Sequence, residues 1–199
     1  MNYIYLLKII IIFLLSFFSG SIPTGYILVK KYKGIDVRSI GSGNIGSTNV
    51  GRIGGSRLSI ITQLIDILKG TIPVVIAHFC FLSEVISFGA GFFAIAGHCF
   101  TPFLKFKGGK GVNTTIGAFI VLAPIPTLIS LCAYLLFRLK TRIVSLGSIA
   151  FSLSLWTCVL LSTKALYPTL FTIAVSLLIL IKHKNNIIRL IHHQEKPIS

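Results

Sequence analysis

Apolar residues run almost unbroken over 3–29, 58–82, 85–103, 112–139, 143–161 and 167–181, and the charged residues fall in the short junctions between those runs. About 20 apolar residues rising 1.5 Å each cross a hydrocarbon core, and lipid forces every backbone donor and acceptor to be satisfied inside its own segment. Such runs can therefore be little other than membrane helices. Composition agrees, with 54% hydrophobic and 12% charged residues, against about 25% charged in a soluble domain. The fold class expected is all-α, a polytopic integral membrane protein forming a single domain over 1–199. The first run shows no small-residue cleavage site, so it reads as a retained helix and not as a signal peptide.

The formal charge of +15 does not indicate nucleic acid, because binders of that kind carry basic residues on a soluble face. Here the basic residues flank apolar runs and set orientation. Lys30, Lys31, Lys33, Arg38, Arg52 and Arg57 share one junction, Lys105, Lys107 and Lys110 a second, and Arg138, Lys140 and Arg142 a third. Lys182, Lys184 and Arg189 follow the last run. All four groups lie on the cytoplasmic side only if 112–139 crosses twice, turning at Pro124-Ile125-Pro126, where two prolines disfavour a continuous helix. This predicts seven transmembrane helices, the N-terminus outside and the C-terminus cytoplasmic, with Ser83-Glu84 and 162–165 as external turns. The two half-length spans, about 18 to 20 Å each, need tilt or shielding by neighbours. A single kinked helix is the alternative. Cys80, Cys99, Cys132 and Cys158 all sit inside apolar runs without metal or redox spacing, and no metal or cofactor is expected.

The junction DVRSIGSGNIGSTNVGRIGGSR, from Asp36 to Arg57, is unlike an ordinary membrane loop. Its Gly41-Ser42-Gly43-Asn44-Ile45-Gly46 fits the spacing of a dinucleotide fingerprint, with Asp66 suitably placed beyond it. It lacks the preceding strand and the βαβ surroundings, and that reading is rejected. A Walker loop fails because Ser47 and Thr48 follow Gly46 where lysine is required. What remains is a set of backbone amides that glycines let converge on an anion, with Arg52 and Arg38 able to add bidentate bonds. The second junction, 97–111, repeats the theme with lysine: Gly108-Gly109-Lys110 precedes a helix start, where free amides attract anions. Two such loops on one membrane face imply one highly anionic ligand or two phosphates. The third, Lys182 to Leu190, puts His183 and Asn186 on one helical face. Ser145 follows Arg142 on the same side. His98 reads as a packed helix histidine, and Asp66 with Lys69 as a structural ion pair.

These segments, GSIPTGYIL at 20–28, DVRSIGSGNIGSTNVGR at 36–52, GHCFTPFLKFKGGKGV at 97–112 and HKNNIIRL at 183–190, resemble in order those of the bacterial acyl-phosphate:glycerol-3-phosphate acyltransferases, the PlsY family. The resemblance spans nearly the whole chain. It implies a seven-helix fold in the bacterial cytoplasmic membrane that transfers an acyl group from acyl phosphate to the 1-hydroxyl of glycerol 3-phosphate, giving lysophosphatidate and phosphate. It places catalytic roles on Ser42, Arg52, Lys110, His183 and Asn186. Substrate and phosphate binding then fall to Gly41, Gly43, Asn44, Gly46, Thr48, Asn49, Gly108, Gly109 and Ser145. The partners implied are the two substrates and membrane lipid, with no nucleic acid, and the protein is expected to be a monomer. Asn185 stands where the family commonly has Glu, and Thr101-Pro102 varies a loop position.

No histidine neighbours Ser42 in sequence, which favours direct transfer, with a donor phosphate oxygen taking the hydroxyl proton, over an acyl-enzyme. His183 is the other candidate base. After His98 the position of a His-x-x-x-x-Asp motif holds Phe103, which separates the chain from acyltransferases using that motif. The rival readings are an anion or organophosphate transporter and a non-catalytic assembly subunit. A transporter usually carries polar groups at the bilayer midplane in repeated halves, and no repeat is visible.

Overall fold

A computed structural model describes residues 2–197. Among these residues it is all-α, with nine helices: α1 (Tyr3–Ser21), α2 (Thr24–Lys33), α3 (Ser47–Phe81), α4 (Glu84–Cys99), α5 (Val112–Leu122), α6 (Pro124–Thr141), α7 (Val144–Thr163), α8 (Leu166–Lys182) and α9 (Lys184–Ile191). Four stretches are long and apolar enough to cross a bilayer: Tyr3–Lys33, Ser47–Phe81, Glu84–Leu104 and Val144–Thr163. A fifth results if α8 and α9, bent by 63° at their junction, count as one span. Leu14, Phe79, Leu153 and Leu177 are exposed, as side chains facing lipid tails would be.

Single backbone positions break the helices where hydropathy does not. Pro23, which lacks an amide proton, separates α1 from α2, so the apolar run 3–29 is two helices. Gly55 at φ 83° and ψ 175° interrupts α3, in a region of backbone space that glycine alone occupies easily. The segment 47–54 is thereby set apart from the long span that begins near the expected residue 58. In the 112–139 run the interruption falls at Ala123, with Pro124 as the first residue of α6. That is one position before the expected Pro-Ile-Pro turn, because a proline is well tolerated at a helix start.

The chain divides into two compact units, Met1–Val121 and Leu122–Ser199. In the first, α1 packs along α4 and α3, and α3 against α4 and α2. Small residues permit the close crossings: a Cβ at Gly70 would stand 2.1 Å from the Thr114 carbonyl oxygen, and one at Gly117 would stand 1.9 Å from that of Ile67. The Thr71 hydroxyl donates to the Gly117 carbonyl at 2.8 Å. This is the small-residue packing that helices in lipid use when no hydrophobic effect draws them together. A separate apolar cluster of Val29, Val37, Ile45, Val50, Leu58 and Leu104 lies beneath the glycine-rich junction. Burial of such side chains is worth about 1.5–3 kcal/mol each, which gives a polar loop a fixed floor.

In the second unit α7 packs on both α6 and α8. Its seam is polar: Ser176 Oγ donates to the Ser152 carbonyl at 2.8 Å, and Ser152 Oγ to that of Ser176 at 3.2 Å. Helix α9 touches α7 and α8 near their ends.

Candidate active site

In the first unit the glycine-rich junction is organised from within by Asn49, which is 2% exposed. Its Oδ1 accepts the Ser42 amide at 3.0 Å. Its Nδ2 donates to the carbonyls of Val37, Ile40 and Asn44, each at 3.0 Å. Asn44 in turn accepts the Gly46 amide at 2.8 Å. Gly41, at φ +65°, passes so close to this centre that a Cβ would stand 2.3 Å from Asn49 Oδ1. Ser42 and Gly43 are left at the surface, Gly46 and Thr48 are half-buried, and Arg52 is exposed on the segment before the Gly55 break.

Asp36 caps the short turn Val37–Ser39 and grips Arg38 through both carboxylate oxygens, at 2.7 Å to Nη2 and 3.0 Å to Nε. The Arg38 guanidinium lies over the Tyr26 ring, 5.1 Å from its centroid. The side-chain and backbone bonds from Arg38 lower the Asp36 pKa to about 2, and the carboxylate raises that of Arg38.

The second junction meets the first. An open cavity of about 490 Å³ is lined by Asp36, Arg38, Ser39 and Gly43 from one and by Lys107 and Gly108 from the other. Asn113, in the first turn of α5, donates to Ser47 Oγ at the start of α3 at 3.2 Å, so two helix N-termini lie side by side. Gly109 is buried and Lys110 half-buried. Ser42, Arg52 and Lys110 are not among the described lining residues of the cavity. Structure thus brings the two glycine loops together, with Arg38 and Lys107 at the rim.

In the second unit His183 ends α8 and is 2% exposed. Its Nδ1 lies 2.8 Å from the Ile179 carbonyl oxygen. A carbonyl only accepts, so Nδ1 carries a proton. Asn186 is buried one turn later. Asn186 Nδ2 and Arg189 Nε donate to the Glu195 carboxylate, as does Ser145 Oγ at 2.7 Å. Partial burial opposes the charged form of Glu195, but the bonds from Arg189, Ser145 and Asn186 outweigh it and hold the pKa below its ordinary value. Ser145 and Asn186 are therefore brought to one carboxylate.

Sequence reasoning missed Glu195. The available signal was the scarcity of acids: of only four, Asp36, Asp66 and Glu195 each pair with a basic side chain, and Glu84 opens α4. Asn185, the departure noted in sequence, is exposed, and the carboxylate that ties this helix comes from Glu195, ten residues further on.

Two glycine loops, each with a basic side chain, thus line one open cavity in a helical protein with membrane-spanning stretches. The glycerol-3-phosphate acyltransferase family model matches residues 10–193. The chain is 46% identical over 196 residues to the glycerol-3-phosphate acyltransferase of Clostridium acetobutylicum, covering 94% of this chain and 98% of that one. It is 43% identical over 193 residues to that of Endomicrobium trichonymphae, covering 97% and 96%. The crystal structure of PlsY, an integral membrane glycerol 3-phosphate acyltransferase, in its glycerol 3-phosphate form is similar with a TM-score of 0.92 at 32% identity, covering 96% of each chain. Its lysophosphatidic acid form gives 0.89. The chain belongs to the glycerol-3-phosphate acyltransferase family, and it is an acyltransferase of the multi-pass membrane type.

Proposed function

We propose that this enzyme transfers an acyl group from acyl phosphate to the 1-hydroxyl of glycerol 3-phosphate, releasing inorganic phosphate and lysophosphatidate, an early step of phospholipid synthesis. The observation that carries this reading is the meeting of two glycine loops, each with basic side chains, around one open cavity. Both substrates bear phosphate, and one of the similar crystal structures is a glycerol 3-phosphate form.

In the reaction the hydroxyl oxygen bonds to the acyl carbon while the bond from that carbon to the phosphate oxygen breaks. The hydroxyl proton passes to an oxygen of the departing phosphate, so no covalent intermediate on Ser42 is required. Arg52 and Lys110 neutralise phosphate charge, and Ser42 with the amides of Gly41, Gly43, Gly46, Gly108 and Gly109 binds phosphate and stabilises the negative carbonyl oxygen of the transition state. Thr48 and Asn44 contribute polar contacts to the same loop. Asn49 acts through its hold on the loop backbone. His183, Asn186 and Ser145 orient the acceptor; His183 is the second candidate base.

The chain functions as a monomeric, single-domain enzyme with seven spans, α1, α3, α4, α5, α6, α7 and α8, in the bacterial cytoplasmic membrane. The basic junctions are cytoplasmic and the N-terminus is outside. Detergent-purified protein given palmitoyl phosphate should release phosphate only when glycerol 3-phosphate is present, with an equal amount of lysophosphatidate by chromatography. Folded protein that shows no acceptor-dependent release would refute the reading.

A further inference from the structure

Asp66, Lys69 and His98 lie buried within the apolar helices of the first unit. Lys69 Nζ stands 2.8 Å from Asp66 Oδ1 and donates to the Ile22 carbonyl at 2.9 Å, the carbonyl exposed where Pro23 breaks the helix. The Thr24 hydroxyl, on the far side of that break, is turned to the same Ile22 carbonyl at 3.5 Å. Asp66 Oδ1 also lies 3.8 Å from His98 Nδ1.

The other edge of His98 faces the second glycine loop. Its Nε2 stands 2.0 Å from where a Cβ of Gly109 would be, and its carbonyl oxygen 2.1 Å from that of Gly108. The same carbonyl accepts the Gly109 amide at 3.0 Å. Thr101, just before the loop, donates to the Ser21 carbonyl at 2.6 Å, back at the α1–α2 break. Residue 70, next after Lys69, meets α5 at Thr114. The buried charges therefore reach the α1–α2 break through Lys69 and the loop itself through His98, while Gly70, beside Lys69, meets the helix that follows the loop.

We propose that Asp66, Lys69 and His98 are positioning residues that hold the Gly108-Gly109-Lys110 backbone in its phosphate-binding shape. Two consecutive glycines have no side chains with which to anchor themselves, so the path of this loop is set by what it rests on. An apolar side chain would fill the space but would leave the ring orientation and the Ile22 carbonyl unspecified. The Asp66 carboxylate, 3.8 Å from Nδ1, acts on the ring through charge and not through a hydrogen bond, favouring the orientation that turns this edge toward it and Nε2 toward Gly109. Charges buried in lipid are costly, and they usually face functional parts of the structure. This inference rests on the reading that the loop takes a substrate phosphate.

The test uses the full-length enzyme in detergent or bilayer discs, with steady-state kinetics against glycerol 3-phosphate and palmitoyl phosphate. Breaking one partner of a buried ion pair strands the other charge, so the informative variant is the double Asp66→Asn/Lys69→Met, which removes both. His98→Asn is the second: its amide keeps a polar group beside Asp66 but leaves no ring beneath Gly109. Both are expected to raise KM for a phosphate-bearing substrate by about 10-fold to 10²-fold, the cost of a small misplacement, at a thermal midpoint close to that of the parent.

A purely structural role would instead lower the active fraction, cutting kcat at unchanged KM; that result, or parental kinetics in both variants, overturns the proposal. Lys110→Ala separates the two levels of the argument. Normal turnover in Lys110→Ala would remove the phosphate-loop reading itself. Loss of turnover there, with unchanged KM in His98→Asn and the double variant, would leave the loop standing and dismiss the positioning role alone.

Discussion

Asn49 holds the Ser42 amide through its side-chain oxygen at 3.0 Å, across seven residues of the loop. The two hydrogens of its nitrogen are shared among three carbonyls. A single buried carboxamide therefore sets the height and tilt at which Ser42 is presented.

Asn49→Asp is nearly isosteric but turns the donor edge into an acceptor facing three carbonyl oxygens. Since an unsatisfied buried polar group costs about 1–3 kcal/mol, the variant should lose at least about 2 kcal/mol and most of its turnover. Thermal unfolding in detergent, read beside acyl transfer, checks this. Ser42→Ala, in contrast, should lose activity without losing stability.

Arg52→Ala and Lys110→Ala should each reduce kcat/KM by about 10²-fold or more, the scale of removing one preorganised charge contact in a transition state. Neither residue supports the apolar core, so the midpoint of unfolding should stay near that of the parent. Near-normal rates in both would reject these assignments.

Gly109→Ala should be close to inactive, because the added methyl meets the His98 ring. Gly34→Ala is the control: this glycine has φ +70°, and no atom lies within 4 Å of an added Cβ. It should cost about 1 kcal/mol of backbone strain and leave turnover unchanged. If Gly109→Ala were equally mild, the loop would be far more pliant than its packing requires.

Glu195 carries a lowered pKa in the folded state. A depressed carboxylate contributes stability that is complete above the unfolded value, about 4.3 for glutamate, and disappears as pH falls through the lower folded value. The parent should therefore lose thermal stability on acidification below about pH 4.3, and Glu195→Gln should lack that part of the fall while starting less stable at pH 7. Identical pH profiles for the two would show that the carboxylate does not fasten Ser145, Asn186 and Arg189.

Sequence carried the helical membrane architecture and the glycine junctions because both are written in composition and spacing. The runs at 58–82, 143–161 and 167–181 lie within α3, α7 and α8 or overrun them by one residue. The break at Gly55 was invisible because hydropathy averages over many residues and a single positive φ does not alter it. Pro23 was in plain sight, but the apolar residues on either side made one run of two helices. Asn49 illustrates a further limit: read as a phosphate contact from its place in a polar motif, it spends its amide on the loop's own backbone. A side chain that builds a site and one that touches its ligand have the same residue type and the same neighbours in sequence. Glu195 was missed because its partners are 50, 9 and 6 residues away, and only the folded chain makes those separations short.

At 11 residues, α5 is about 16 Å long, roughly half the thickness of a bilayer's hydrocarbon. A helix of that length cannot carry its first and last residues to opposite faces of the hydrocarbon. The cationic loop ahead of it and the break at Ala123 behind it cannot both sit in water, and whichever lies deeper needs its backbone groups satisfied by neighbouring helices.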